Sequence, residues 1–264
     1  MKAPAHHLAS KRRRRAGQYF ASVARIAAQL RADPRTIAIV LVMPLVLITL
    51  LYFVFVDAPA PPGEPDPFQR IGPVMLAVLP MMLMFIVTSV TMLRERTSGT
   101  LERLLTTPLS RWNLLASYGA AFGILGMVQG GLLAVAVLGP MGAQVEGPSA
   151  ALLLLTFLDA LVGVAFGLLA SAFARTEFQA VQFMPMFIGP QLFLCGLLVP
   201  KENMPAVLGA IADWLPMTWA VDAVLDIVAN SQLSGGTWLR FGLLGGLALV
   251  FLFVASASMP RQTR

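Results

Sequence analysis

The sequence is poor in the residues that build disulfides, metal sites and soluble surfaces. Its single cysteine, Cys195, cannot form a disulfide within the chain. Its two histidines, His6 and His7, lie near the N-terminus, which excludes a histidine-based metal site or catalytic triad in the apolar part of the chain. Only 12% of the residues are charged, less than half of the roughly 25% found in ordinary soluble domains. This composition does not indicate a water-soluble enzyme.

Three motifs of well-known enzyme classes are also absent. No G-x-x-x-x-G-K-[S/T] phosphate loop occurs, so no segment would cradle the phosphates of ATP in that way. The zinc-protease motif H-E-x-x-H and the serine-hydrolase motif G-x-S-x-G are missing as well. We therefore expect no catalytic residue, no metal ligand and no cofactor-binding residue in this chain.

Long apolar runs are what the sequence has in abundance. Apolar residues make up 57% of the chain, against about 45–50% in soluble domains. Several runs reach the roughly 20 residues that cross a ~30 Å hydrocarbon layer. They predict an all-α polytopic membrane protein, with a disordered basic tail at 1–16 and a transmembrane domain at 17–264. The six predicted spans cover residues 36–56, 71–92, 114–138, 149–173, 180–199 and 238–254.

Two parts of the chain have helical character but do not read as spans. Residues 18–30 are amphipathic, with Arg25 on the polar face, and Asp33-Pro34 is a good start for a new helix. We therefore predict an elbow helix in the membrane interface. The alternative is a cytoplasmic extension of the first span. Residues 204–215 and 217–229 are apolar but too short to cross, which predicts external re-entrant or interfacial helices.

The positive charges are distributed unevenly over the predicted loops. With six spans, sixteen of the nineteen lysines and arginines lie on the side of the two termini and three on the other. This predicts cytoplasmic termini in a bacterial inner, or plasma, membrane. Nine of them precede Thr36, a position that indicates contact with anionic membrane lipid rather than with nucleic acid.

The most polar internal stretch is 93–111, between the second and third spans. Gly99 interrupts the preceding helix, Thr100 is suited to cap a new one at Leu101–Leu105, and Pro108 stops it. A charged cytoplasmic loop is often only solvated. A compact amphipathic helix between two spans is better explained as a docking element for a soluble partner.

The same stretch carries a family resemblance. Arg94-Glu95-Arg96-x-x-Gly99-Thr100-Leu101-Glu102-x-Leu104-Leu105-x-x-Pro108 resembles the signature of ABC-2 type transporter permeases, above all the daunorubicin-resistance-type exporter subunits. The likeness extends to Asp33-Pro34-Arg35 and to the proline-rich segments after the fifth span. It implies that the stretch is the cytoplasmic coupling helix, whose ATPase-coupling residues are Arg94, Glu95, Gly99, Thr100, Leu101, Glu102, Leu104, Leu105 and Pro108.

The resemblance also implies partners and an activity. It implies an exporter built of two permease copies, as a homodimer or heterodimer, and two separate ATPase subunits that bind ATP and Mg²⁺. Its cargo would be hydrophobic or amphipathic: a drug, an antibiotic or a lipid-like molecule. The alternatives are export of a glycan or lipid-linked saccharide and, from a different class, ion-coupled secondary transport. Internal repeats and paired intramembrane charges, which the last alternative would favour, are missing.

Two further sets of residues inside the spans are candidates for function. A carboxylate in the membrane is a functional candidate by default, and Asp159 could line a transport cavity with Gln129, Gln182 and Gln191 or make a structural hydrogen bond. Glycines at helical spacing let helix backbones approach closely in lipid. They indicate packing within one chain, or alternatively a dimer seam or substrate path, and are Gly119, Gly123, Gly126, Gly130, Gly163 and Gly167.

Overall fold

A computed structural model describes residues 5–58, 66–105 and 110–258, apart from the side chains of 5–16 and of Glu102, Leu104 and Leu105. All regular secondary structure in these ranges is helical, with one 3₁₀ turn at Lys201–Asn203. The helices are α1 (Ala5–Ala32), α2 (Pro34–Phe55), α3 (Pro67–Thr97), α4 (Thr100–Leu105), α5 (Arg111–Leu138), α6 (Ser149–Phe173), α7 (Glu177–Leu194), α8 (Ala206–Ala212), α9 (Pro216–Ala229) and α10 (Gly235–Ser258).

The chain breaks between α1 and α2 at Asp33. The Asp33 carboxylate accepts hydrogen bonds from the backbone N–H of Thr36 at 3.2 Å and from its hydroxyl at 2.6 Å. Pro34 is the first residue of α2, so both local features favour a new helix at this point. α1 already begins at Ala5. It therefore covers most of the stretch 1–16, for which the sequence predicted disorder, as well as the predicted amphipathic stretch.

Five helices are long and apolar enough to cross a membrane, namely α2, α3, α5, α6 and α10. They correspond to the first four predicted spans and the last one. α8 and α9 are bent by 87° relative to each other and make a sixth span only if they are counted as one broken helix. The chain is therefore an all-helical, multi-pass membrane protein with five to six candidate spans.

The fifth predicted span, residues 180–199, differs from the structure. The corresponding helix, α7, has 18 residues and ends at Leu194, short of the roughly 20 residues of an ordinary span. It begins with the polar residues Glu177 and Gln179. Gly196, with a φ of 88°, then turns the chain away, so the apolar residues that follow Leu194 do not extend the helix.

The centre of the helical bundle is α6, which packs against α3, α5 and α10. Its contact with α3 is close because two glycines face the α3 backbone. A Cβ atom at Gly163 would overlap the carbonyl oxygen of Met81, and one at Gly167 would lie 2.5 Å from that of Phe85. α2 lies at the periphery, where its buried residues are Val40, Pro44 and Ile48.

Charged side chains collect at the two ends of the bundle. The α4 end is formed by α1, α4, the end of α3, the end of α6 and the start of α7. At the opposite end, Lys201 pairs with Asp213 at 2.7 Å and with Asp222 at 3.2 Å, and Arg240 lies 3.4 Å from Asp222. These pairs connect the 3₁₀ turn, the residue after α8, α9 and α10 at that end.

Candidate functional site

A short turn joins α3 to α4. Gly99 has a φ of 71°, a left-handed conformation that glycine adopts without strain. The hydroxyl oxygens of Ser98 and Thr100 lie 2.9 Å apart across the turn. The short helix predicted at Leu101–Leu105 is present and begins at Thr100. Leu101 is 6% exposed and belongs to the largest apolar cluster of the core.

The predicted coupling motif is described in part. The side chains of Glu102, Leu104 and Leu105 lie outside the described residues, as does the whole of Pro108. The described members of the motif therefore carry the geometry of this site. They are the residues at the end of α3, the Gly99 turn and the first turn of α4.

Glu95 ties the end of α3 to α1. Its carboxylate lies 3.2 Å from the guanidinium of Arg25, and its side chain is 8% exposed. Arg25 also donates a hydrogen bond to the Tyr118 hydroxyl of α5 at 3.3 Å. One partly buried cation therefore joins three helices beside the α3–α4 turn.

The two arginines that flank Glu95 attach the same turn of α3 to other helices. Arg94 donates two hydrogen bonds to the Glu177 carboxylate of α7, at 2.8 and 2.9 Å. This guanidinium lowers the pKa of Glu177. Arg96 donates to the backbone carbonyl of Ser171, near the end of α6. The three consecutive side chains thus contact α7, α1 and α6.

This arrangement is suited to transmit movement. α4 is connected to α3 by a two-residue turn, and the last turns of α3 are fixed to three other helices through charged hydrogen bonds. Such bonds are roughly twice as strong as neutral ones. A displacement of α4 would therefore act on α1, α6 and α7 together rather than on a flexible loop.

The four polar residues predicted for a transport cavity do not share one environment. Asp159 and Gln129 are fully buried, and within the described part of the chain no hydrogen-bond partner contacts their side-chain oxygen and nitrogen atoms. Gln191 is buried too, but it donates to the Phe187 carbonyl and accepts from the Met217 N–H. Gln182 is exposed on α7. Among the described residues, Asp159 and Gln129 thus have no partner, whereas Gln191 links α7 to the start of α9. Gln182 does not face the interior.

The glycines of α5 lie against helices of the same chain. A Cβ atom at Gly126 would lie 2.6 Å from the Cβ of Ala160, and one at Gly130 would overlap Thr156, both on α6. Gly123 faces Leu161 of α6, while Gly119 faces Leu252 of α10. Together with Gly163 and Gly167, they allow α3, α5 and α6 to approach closely.

Sequence reasoning did not find the partners of the motif. Arg25 was placed only on the polar face of the amphipathic stretch, and Tyr118 and Glu177 had no assigned role. Arg25 is 70 positions from Glu95 and 93 from Tyr118, and Glu177 is 83 positions from Arg94. A basic residue on the polar face of a helix is the one local signal that pointed to this network.

Comparison with known proteins gives several bacterial relatives. The chain is 31% identical over 155 residues to the "Linearmycin resistance permease protein LnrN" of Bacillus subtilis. This match covers 58% of this chain and 40% of that protein. It is 32% identical over 171 residues to the "Probable multidrug ABC transporter permease YbhR" of Escherichia coli, covering 60% of this chain and 46% of the relative. It thus spans less than half the length of these curated relatives.

A family model extends the similarity along most of the described helices. The model, described as "ABC-2 type transporter", matches residues 17–229. The matched range runs from the middle of α1 to the end of α9 and includes Arg25, the Arg94–Arg96 triplet and Asp159. This chain belongs to the ABC-2 type transporter family.

Proposed function

We propose that the chain is the membrane-spanning permease subunit of an ATP-driven ABC exporter. In this proposal α4 is the coupling helix on which a separate ATPase subunit docks. The observation that carries it is the attachment of the α3–α4 turn to α7, α1 and α6 through Arg94, Glu95 and Arg96. Family membership supports the same assignment.

The proposed mechanism uses this attachment. Two permease copies associate with two ATPase subunits, which bind ATP and Mg²⁺ and close on each other. Closure displaces α4, and the network around Glu95 passes the displacement to the central helices. The bundle can then change from an inward-facing to an outward-facing state, provided that cargo and ATPase bind the two states with different affinity.

The proposed orientation places the α4 end in the cytoplasm of a bacterium, at the inner membrane. The excess of lysine and arginine on this side supports it. α1 then lies at the cytoplasmic interface as an elbow helix, and α8 and α9 form the external re-entrant pair. The 87° bend between α8 and α9 supports a re-entrant course rather than a straight crossing.

The proposed cargo is hydrophobic or amphipathic, such as a drug, an antibiotic or a lipid-like molecule. The names of two relatives, one for linearmycin resistance and one for multidrug transport, support this class. Export of a glycan or lipid-linked saccharide is the alternative within the family. It would need a wide polar path, whereas the described spans contain few unpartnered polar side chains.

A second candidate function, ion-coupled transport, has one observation in its favour. Asp159 is fully buried in α6 without a hydrogen-bond partner in the described residues, and buried carboxylates are the usual ion or proton relays of membrane transporters. This candidate requires no ATPase, so the two proposals differ in what must co-purify with the chain.

The test is a double substitution in α4, Glu102→Arg with Leu104→Asp. We expect the variant to insert and remain folded, but to lose the ATPase that co-purifies with the wild-type chain in mild detergent, together with export. Glu202→Arg, at the opposite end, is the matched charge reversal and should retain both. Unchanged transport in the double variant would contradict the coupling role, and a wild-type chain that purifies without any ATPase would contradict the exporter proposal.

A further inference from the structure

A cleft of about 430 Å³ lies near the α4 end, between α1, the start of α2 and α3. Its volume falls within the range of roughly 300–1,000 Å³ that is usual for small-molecule sites. Three coupling-motif residues, Arg94, Glu95 and Thr100, line its polar part, but neither the motif nor the predicted transport cavity accounts for its apolar part. The cleft therefore needs an explanation of its own.

The lining of the cleft changes from polar to apolar along α3. Ser98 and Arg94 line it near the α4 end, and Val90, Val87 and Ile86 line the part further into the bundle. With a rise of 1.5 Å per residue, this wall is about 18 Å long. The length and the gradient fit a molecule with one polar head and one apolar tail.

The α2 wall shows the same gradient and an opening. Asp33 and Thr36 lie at the polar part of the cleft and Ile39 at the apolar part. Ile39 is 60% exposed, and α2 has the smallest buried share of the five candidate spans. The apolar part of the cleft is therefore accessible from the side of the bundle along α2, a candidate span that lipid would surround in a membrane.

The charges of the polar part favour a cationic head group. Arg94 already makes two hydrogen bonds to Glu177, and Glu95 is paired with Arg25. Asp33 makes no ion pair with a lysine or arginine of the described chain, although the charge of Arg94, which lines the same cleft, also acts on it. Hydrogen bonds from Thr36 lower the pKa of Asp33, so this carboxylate carries its charge at neutral pH. These contacts set three carboxylates against two guanidinium groups, so the net charge of the group is negative.

We propose that this cleft binds an amphipathic cation dissolved in the membrane, with its ammonium group on Asp33 and its apolar tail against Val87 and Val90. Thr100, which also lines the polar part, offers a further oxygen acceptor to an ammonium head. The proposal goes beyond the exporter assignment, because binding at this site needs neither an ATPase nor transport.

The experiment measures binding to the purified full chain by native mass spectrometry. Three probes with the same alkyl chain separate the contribution of charge: dodecylamine, which is a cation at neutral pH, dodecanol, which is neutral, and dodecyl phosphate, which is an anion. We expect one saturable dodecylamine site per chain. Its affinity should exceed that of the other two probes by about tenfold, the effect of one charge-assisted hydrogen bond.

Two variants and one control assign the site. Asp33→Asn should weaken dodecylamine binding about tenfold and leave dodecanol binding unchanged, since asparagine is an equally good N-cap and keeps the start of α2. Val90→Phe fills the apolar part and should abolish binding of dodecylamine. Glu146→Gln removes an exposed carboxylate at the opposite end and should bind like the wild type.

Several results would overturn the proposal. Equal affinity for the three probes would mean nonspecific partitioning, and tighter binding of dodecyl phosphate would mean an anion site. Wild-type binding by Asp33→Asn, or equal weakening by Glu146→Gln, would remove the role of Asp33. If Asp33→Asn lowers the yield of folded protein, Val90→Phe decides the question, because wild-type dodecylamine binding by this variant would overturn the proposal. Because no ATPase is present, any of these failures leaves the exporter assignment untouched.

Discussion

The Arg25 guanidinium of α1 lies 3.2 Å from the Glu95 carboxylate of α3, and only 8% of the Glu95 side chain is exposed. The neighbouring pair, Arg94–Glu177, has similar chemistry, but its two side chains are 59% and 52% exposed. The chain thus offers two ion pairs, one residue apart on α3: a buried pair with one hydrogen bond and an exposed pair with two. This contrast separates the contribution of a buried link from that of a surface link.

We expect Glu95→Gln to destabilise the protein and Glu177→Gln to have little effect. Removing one partner of a fully buried pair costs about 3–5 kcal/mol; Arg25 keeps some solvent contact, so we expect about 1–3 kcal/mol for Glu95→Gln. An exposed pair contributes about 0–1 kcal/mol. Thermal unfolding in detergent measures both, and a double-mutant cycle with Arg25→Gln isolates the pair. Equal losses for the two variants would show that burial of Glu95 does not strengthen the link.

The glycines on α6 give a second prediction. Gly163→Ala and Gly167→Ala would place a methyl group against the backbone carbonyls of Met81 and Phe85 in α3, and overpacking of this kind costs about 1–3 kcal/mol. Gly246→Ala in α10 is the control, because a Cβ there meets no atom within 4 Å. Since alanine favours helix by about 1 kcal/mol over glycine, the control should be neutral or stabilising.

Thermal unfolding of these three variants distinguishes the two interpretations of the glycine pattern. Loss of stability in the α6 variants, with the control unaffected, indicates packing within one chain. Stable α6 variants that no longer associate into dimers would instead indicate that these glycines lie at a seam between copies. That result would contradict the close packing of α6 against α3.

Asp159 offers a test in which stability and transport move in opposite directions. A buried polar group without a partner costs about 1–3 kcal/mol, so Asp159→Leu should raise the unfolding temperature. If the carboxylate faces a transport path, the same variant loses export, and Asp159→Asn loses part of it. Gln191→Leu serves as a comparison, because it removes two hydrogen bonds and should destabilise. Wild-type efflux by both Asp159 variants over a panel of substrates would assign Asp159 a structural role.

The sequence predicts the elements of this fold better than their contacts. Apolar runs and helix caps are local signals, and five of the six predicted spans correspond to helices that can cross. α7 differs because it begins with polar residues and ends before the turn at Gly196, and the average apolar character of residues 180–199 does not reveal either feature. The Arg25–Glu95–Tyr118 network joins residues far apart in sequence. Only the packing of α1, α3 and α5 brings them together, and the sequence showed no more than a basic residue on a polar helix face.

The orientation of the chain can be tested because it has a single, buried cysteine. Cys195 is 0% exposed, so a membrane-impermeant maleimide applied to intact cells should not react with the wild-type chain. Glu146→Cys, in the exposed loop at the opposite end, should be labelled from outside. Ser98→Cys, at the exposed α3–α4 turn, should be labelled only after the membrane is opened, because the proposed orientation, which the excess of positive charge favours, places the α4 end in the cytoplasm. Labelling of Ser98→Cys in intact cells would reverse the orientation, and α4 could then not contact an ATPase inside the cell.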